Sequence, residues 1–248
     1  MIEAKNISKR FGDNEVLKDV SVSFEKGRCN LIIGQSGSGK TILLKCIVGL
    51  HSISGGEIYY DERPFSPMSR KEQKSIRQEM GMVFQAGALF DSMTVEQNIS
   101  FPLNIYSRMT KEEKLDRVNS CLTRVDLENS NKLYPAELSG GMRKRVAIAR
   151  AISLNPKYLF CDEPNSGLDP KTAMVIDDLI QDITREFNMT TIVNTHDMNS
   201  VLQIGDKIIF LAEGSLEWEG SKEEIMKTDN KKLNAFVFAS PIMKKIKP

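Results

Sequence analysis

The stretch Gly34-Gln35-Ser36-Gly37-Ser38-Gly39-Lys40-Thr41 fits G-x-x-x-x-G-K-[ST] and constrains this chain more than any other segment. Leu31, Ile32 and Ile33 precede it as the end of a buried strand. Leu43, Leu44, Ile47, Val48 and Leu50 give the segment that follows, Thr41 to Leu50, one apolar helical side. Strand, glycine loop and helix in that order make a phosphate cradle. The glycines let the backbone curl so that successive N–H groups point at phosphate oxygens, and the helix starts with its positive dipole end on the same anion. Lys40 then reaches the β- and γ-phosphates, and the Thr41 hydroxyl ligates Mg²⁺. With glycine near ~7% of residues, the pattern arises by accident in about one chain of this size in a hundred. Nucleotide binding is the first expectation.

A chain of 248 residues buries a sizeable core as one large domain or a domain with a subdomain. The formal net charge of +1 leaves no electrostatic footprint for nucleic acid, so no nucleic-acid partner is expected. No segment approaches the ~20 apolar residues of a membrane span, and Ile208 to Ala212 is among the longest apolar runs. The N-terminus lacks an apolar signal region, so the expectation is a mature cytosolic protein from Met1 onward. Cys29, Cys46, Cys121 and Cys161 are far apart and lack metal-ligand spacing, which predicts buried reduced thiols.

Two strands open the pattern, at Ile2 to Ile7 and Val16 to Phe24. After the glycine loop and its helix come strands at Gly55 to Tyr60 and at Gly81 to Phe84, the latter ending at Gln85. From Ala86 to Ala151 the pattern turns helical. Strand and helix then alternate through Lys157 to Cys161, Lys171 to Phe187, Thr190 to Asn194 and Ile208 to Leu211. Such alternation predicts a parallel sheet with covering helices.

Leu138-Ser139-Gly140-Gly141-Met142 stands just before a helical run through Val146, Ala147, Ile148, Ala149 and Ala151. Ser139 suits an N-cap, and two glycines leave bare backbone at a helix N-terminus, a second anion-binding surface. Taken alone, an ordinary cap is the better reading. Its place after the glycine loop and before an acidic strand end favours the anion site. That strand end is Tyr158-Leu159-Phe160-Cys161-Asp162-Glu163, where Asp162 can hold the Mg²⁺ shell and Glu163 can polarise an attacking water. Ser166-Gly167-Leu168-Asp169 follows, and Thr195-His196-Asp197 closes the next apolar strand, with His196 read as a γ-phosphate contact.

With those residues placed, the chain resembles the ATP-binding subunits of ABC transporters over nearly its whole length. The resemblance implies an α/β P-loop NTPase with a parallel-sheet core, an antiparallel β subdomain and an inserted helical subdomain. It implies domain limits of 1–85 with 151–228 for the ATPase core, 86–150 for the helical signature subdomain and 229–248 for a C-terminal extension. It implies that Phe11 stacks on adenine, although a core aromatic is the competing reading of that residue. Gln85 matches the glutamine that senses Mg²⁺ and the attacking water. Ser139, Gly140 and Gly141 match the signature that closes over the nucleotide of the opposite subunit. Asp162 and Glu163 match the metal-binding acid and the catalytic base, Asp169 the loop acid at the dimer interface, and His196 the switch histidine.

Two departures stand out: Met142 where the family usually carries Gln, and Asn165 where Thr is common after Asp-Glu-Pro. Met142, the Thr94 to Leu103 stretch and an aromatic C-terminus resemble the ATPase subunits of Mla-type, MCE-associated lipid transporters. The implied protein is an ATP- and Mg²⁺-dependent ATPase that forms a homodimer around two ATP molecules. It works peripherally at the cytoplasmic face of the inner membrane and drives integral membrane permease subunits. Lipid is the implied cargo, with an MCE-type lipid-binding protein as a possible partner. A small-molecule importer, a lipoprotein-releasing system and a soluble ATPase of iron–sulfur assembly are the alternatives. Leu89, Phe90 and Met93 are candidate permease-docking residues or internal packing of the helical subdomain. Leu233, Phe236 and Val237 fall at helical spacing, with Pro241 expected to stop that helix after Ser240, and Phe238, Ile242 and Met243 as further contacts. That tail docks either on its own core or across the dimer.

Overall fold

The computed structural model describes residues 1–66 and 68–239. In chain order the elements are β1 (Ile2–Phe11), β2 (Asn14–Phe24), β3 (Cys29–Ile33), α1 (Lys40–Ile47), β4 (Gly55–Tyr60), β5 (Arg63–Pro64), α2 (Arg70–Arg77), β6 (Met80–Val83), α3 (Val95–Tyr106), α4 (Lys111–Arg124), α5 (Gly140–Ile152), β7 (Tyr158–Asp162), α6 (Pro170–Glu186), β8 (Thr190–Asn194), α7 (Met198–Ile204), β9 (Lys207–Ala212), β10 (Ser215–Gly220), α8 (Lys222–Ile225) and α9 (Lys231–Val237). They group into two compact units, Met1–Gln73 with the chain from Thr190 onward, and Lys74–Met189. Among the described residues no helix is long and apolar enough to cross a membrane.

The first unit contains an antiparallel sheet in the order β2-β1-β4-β5. Alternation puts Ile2 and Ala4 of β1 and Val20, Val22 and Phe24 of β2 on its buried face. The period breaks between Ala4 and Ile7 at a bulge, where Asn6 and Asp19 both take left-handed backbone and pair side chain to side chain at 2.7 Å. β1 therefore runs on to Phe11, beyond the Ile7 expected from alternation alone. In the same unit β3 lies parallel to β8 and to β9, and β10 pairs antiparallel with β9. Every residue of β3 and β8 is buried, as strands covered on both faces require. Buried Asn30 interrupts this apolar strand, and its amide links the Glu25 backbone and the carbonyls of Arg28 and Thr191.

The helix after the glycine loop ends at Ile47, short of the expected Leu50. Gly49 takes φ +76°, and Leu50 N–H turns back to the Lys45 carbonyl, a glycine-terminated helix end. At the other end of the unit α9 is capped by Asn230, whose Oδ1 accepts from Leu233 N–H at 2.9 Å. Leu233 and Val237 are buried, and the Phe236 ring lies 5.5 Å from that of Phe210 on β9. Lys232 pairs with Glu217 at 2.6 Å. The described part of the tail thus docks on its own unit, and α9 stops at Val237 because Phe238 leaves the helix as its C-cap. Ser240, Pro241, Ile242 and Met243 lie outside the described residues.

In the second unit β6 and β7 pair in parallel, from Met80 opposite Tyr158 to Val83 opposite Cys161. Its helices begin where their sequences supply caps. Thr94 with Gln97 and Thr110 with Glu113 form reciprocal capping boxes at α3 and α4, and Asp169 with Pro170 opens α6. Val146, Ala147, Ile148 and Ala149 make a fully buried stretch of α5. A Cβ at Gly81 would sit 2.4 Å from the Ala151 carbonyl oxygen, so glycine is what lets β6 approach the end of α5. The four cysteines are buried and unpaired with one another. Burial pushes the Cys46 thiol up to about 11, so it stays protonated and inert at neutral pH.

Candidate functional site

In the first unit β3 ends at Ile33 and the loop Gly34 to Gly39 leads into α1. Gly34, Gly37 and Gly39 have φ of +150°, +81° and +104°, backbone that side chains disfavour. At Gly34 space is also exhausted, since a Cβ there would lie 2.2 Å from the Leu211 carbonyl oxygen. Gln35 and Ser36 are exposed in the curl of the loop, whereas Ser38 and Lys40 are buried. Lys40 Nζ donates to the carbonyls of Gly34 and Gln35 at 2.8 and 3.0 Å, spanning the loop. The buried Ser38 hydroxyl has no hydrogen-bond partner among the described residues. No side chain caps α1 and no acid stands in its first turn. A curled glycine backbone, an orphan hydroxyl, a buried lysine and an uncapped helix start suit a polyphosphate. Thr41, the first residue after Lys40, supplies the hydroxyl that would ligate Mg²⁺, which screens phosphate charge when bound.

His196 follows the carboxyl end of β8, next to the end of β3 from which the loop departs. Ile32 lies opposite Asn194, and Thr195 N–H bonds the Ile32 carbonyl at 3.1 Å. Phe11 is 44% exposed at the end of β1, which overturns its reading as a core aromatic. Its ring meets His51 edge-on at 5.5 Å, and Lys9 Nζ lies 4.7 Å from its centroid, so the ring is held as a platform.

The second unit collects the acidic residues. The parallel register of β6 and β7 brings their carboxyl ends side by side, placing Gln85 by Glu163. Gln85 Nε2 donates to Glu163 Oε2 and to Ser166 Oγ, both at 3.2 Å. Asp162 and Glu163 are half-buried. Glu163 sits at φ +47°, a strained backbone that costs on the order of 1–3 kcal/mol and is held in part by Ser166 N–H on its carbonyl. Ser139 caps α5 by accepting from Met142 N–H at 3.2 Å. Gly141 also serves packing, because a Cβ there would lie 2.6 Å from Thr172 Cγ2 of α6.

Asp169 has a local role that its motif did not suggest. It caps α6, accepting from Thr172 N–H at 3.0 Å and from the Thr172 hydroxyl at 2.5 Å. Those bonds, the hydroxyl's first, hold its carboxyl below the usual range. A depressed carboxylate keeps its cap at neutral pH and loses it only as pH falls through the lowered value. Asn165, without an account in the sequence, donates its amide to both carboxylate oxygens of buried Asp177 on α6, at 3.0 and 2.9 Å. It ties the turn between Glu163 and Asp169 to that helix. Phe90 is exposed and packs on Phe101 at 4.7 Å, and buried Asn98 bonds the Phe90 N–H and the carbonyls of Phe90, Met93 and Thr94. Sequence reading missed Asn98 because one buried amide in a helix leaves no periodic signal.

The Gly34→Ala variant tests the cradle. Steric conflict with Leu211 should displace the loop and weaken ATP binding by about tenfold or more, read by titration with a fluorescent ATP analogue. Parental affinity in that variant would show that the curl is dispensable.

A family model described as ABC transporter matches residues 17–166. The chain is 37% identical to the methionine import ATP-binding protein MetN of Campylobacter jejuni, over 98% of this chain and 77% of that protein. It is 36% identical to the probable ribonucleotide transport ATP-binding protein mkl of Mycobacterium leprae, over 95% of this chain and 68% of that protein. Among solved structures it is similar to the ATP-binding cassette MJ0796 in a dimeric post-hydrolysis state bound to ADP and Pi. There the TM-score is 0.82 at 35% identity, covering 90% of this chain and 99% of that one.

Proposed function

The chain belongs to the ABC transporter family as an ATP-binding subunit, and from that premise we propose that it powers a permease importing a small solute. That it is an ATPase using ATP and Mg²⁺ to drive a transporter follows from the family. Small-solute import is the finer step, and the observation that carries it is the 37% identity to a methionine importer subunit over 98% of this chain.

Each residue has an assigned part. Lys40, Ser38 and the N–H groups of Gly34 to Gly39 bind the phosphates, and Phe11 receives the adenine face. Thr41 and Asp162 would hold Mg²⁺, which would screen phosphate charge, with Gln85 sensing it. Glu163 takes the proton of the attacking water, and the Gln85 amide holds its carboxylate in place at 3.2 Å. His196 contacts the γ-phosphate. Ser139, Gly140, Gly141 and Asp169 act on the nucleotide of a second copy, so the active form is a homodimer. Translocation belongs to the permease, which the subunit serves from the cytoplasmic face of the inner membrane.

A second reading keeps lipid as cargo, with an MCE-type lipid-binding partner, and is supported by Met142 in the signature. One preparation separates the two. Affinity purification from detergent-solubilised membranes should recover a multi-span permease in stoichiometric amount. After reconstitution in vesicles, L-methionine or another small solute presented with its binding protein should accelerate ATP hydrolysis. Acceleration by phospholipid delivery alone supports the lipid reading. Recovery of no membrane subunit contradicts both.

A further inference from the structure

Gln85 is the first residue of a loop whose carbonyls are gathered by two basic side chains of α5. Lys144 is 6% exposed, and its Nζ donates to the Gln85 carbonyl oxygen. Arg150, two turns further on, donates from Nη1 to the Ala88 carbonyl and from Nη2 to the Gly87 carbonyl, both at 2.7 Å. Gly87 and Ala88 take φ of +75° and +47°, a left-handed pair that turns their carbonyls out of any regular ladder. The loop thus has strained backbone and three carbonyls held by charged donors. Charge-assisted bonds of this kind are the strong ones.

From this geometry we propose that Lys144 and Arg150 are positioning residues for hydrolysis, holding the Gln85 loop on α5 so that the Gln85 amide stays on Glu163. The inference rests on the role given to Gln85 above. Two observations distinguish it from ordinary packing. A buried lysine that only filled space would be better replaced by an apolar residue, since burial disfavours its charge. Burial does push the Lys144 ammonium below its usual value, while Cys161 and Glu163 draw it back up. The residue it holds is also the one whose side chain touches the proposed base. The same helix is capped by Ser139, so the helix that follows the signature serine also holds the Gln85 loop.

A double-mutant cycle tests this in the ATPase dimer. Lys144→Met should lower kcat about tenfold, the scale of one lost charge-assisted hydrogen bond, with KM for ATP changed less than about twofold. Lys144→Arg, which keeps charge and donors, should restore most of the rate. In a Gln85→Ala background Lys144→Met should cost little more, because the side chain it positions is gone. If Lys144→Met does not fold, Arg150→Gln takes its place in the same cycle. Parental kcat, or a loss undiminished in the Gln85→Ala background, overturns the inference while leaving the Gln85 reading intact. A parental rate in Gln85→Ala alone overturns that reading, and this inference with it.

Discussion

With Glu163 replaced by Gln, ATP hydrolysis should fall by a general base's typical ~10²–10⁴-fold while ATP binding persists. Gln keeps the length of the side chain and can still pair with Gln85 and with the water, but it cannot take a proton. The Gly34 to Lys40 loop keeps its sequence in this variant, so affinity for nucleotide should remain parental. The strained φ of +47° at position 163 is a backbone property that Gln inherits, so fold and melting temperature should also hold. Single-turnover hydrolysis with radiolabelled ATP measures the effect. A variant that hydrolyses at the parental rate would transfer the base to another group.

Lys40→Ala and Ser139→Arg should fail in different ways. Removing Lys40 strips a charge-assisted contact to phosphate from the same subunit, weakening ATP binding by about ten- to a hundredfold. An Arg at position 139 leaves that subunit's cradle intact, so ATP binding by the single subunit should be near parental. Hydrolysis should nevertheless collapse, because in the proposed dimer Ser139 serves the nucleotide of the other copy. Mixing the two inactive variants should restore part of the activity. Each mixed dimer then has one site with an intact Lys40 and an intact Ser139 from different chains. Equal loss of nucleotide binding in both single variants, or no activity on mixing, would place Ser139 in cis.

The residues proposed for chemistry were legible because they are contiguous and punctuated. Gly34 to Thr41 is flanked by its own strand and helix, and Asp162-Glu163 sits where an apolar run of four ends. Thr190–Asn194 matched its expected limits, because Ile192 and Val193 follow two β-branched threonines that suit a strand. Edges were harder. The bulge at Asn6 hid the rest of β1, and β10 carries a half-buried Ser-Leu-Glu-Trp-Glu pattern that resembles a loop. The polar anchors were not legible at all. Arg143-Lys144-Arg145 reads as a solvated face, yet Lys144 is buried because the Gln85 loop lies over it. Asn165 looked like an unexplained departure until Asp177, twelve residues on, proved to be its partner. Both depend on contacts that tertiary structure creates, and neither has a local period.

Light scattering on the Glu163→Gln variant, with and without ATP and Mg²⁺, tests the central claim most directly. Blocked hydrolysis should trap the closed form, so the mass should double on adding ATP and return to that of one chain when Mg²⁺ is chelated. ADP should leave it at one chain. An ATP-saturated variant that keeps the mass of a single chain at every nucleotide concentration would contradict a site completed by two subunits.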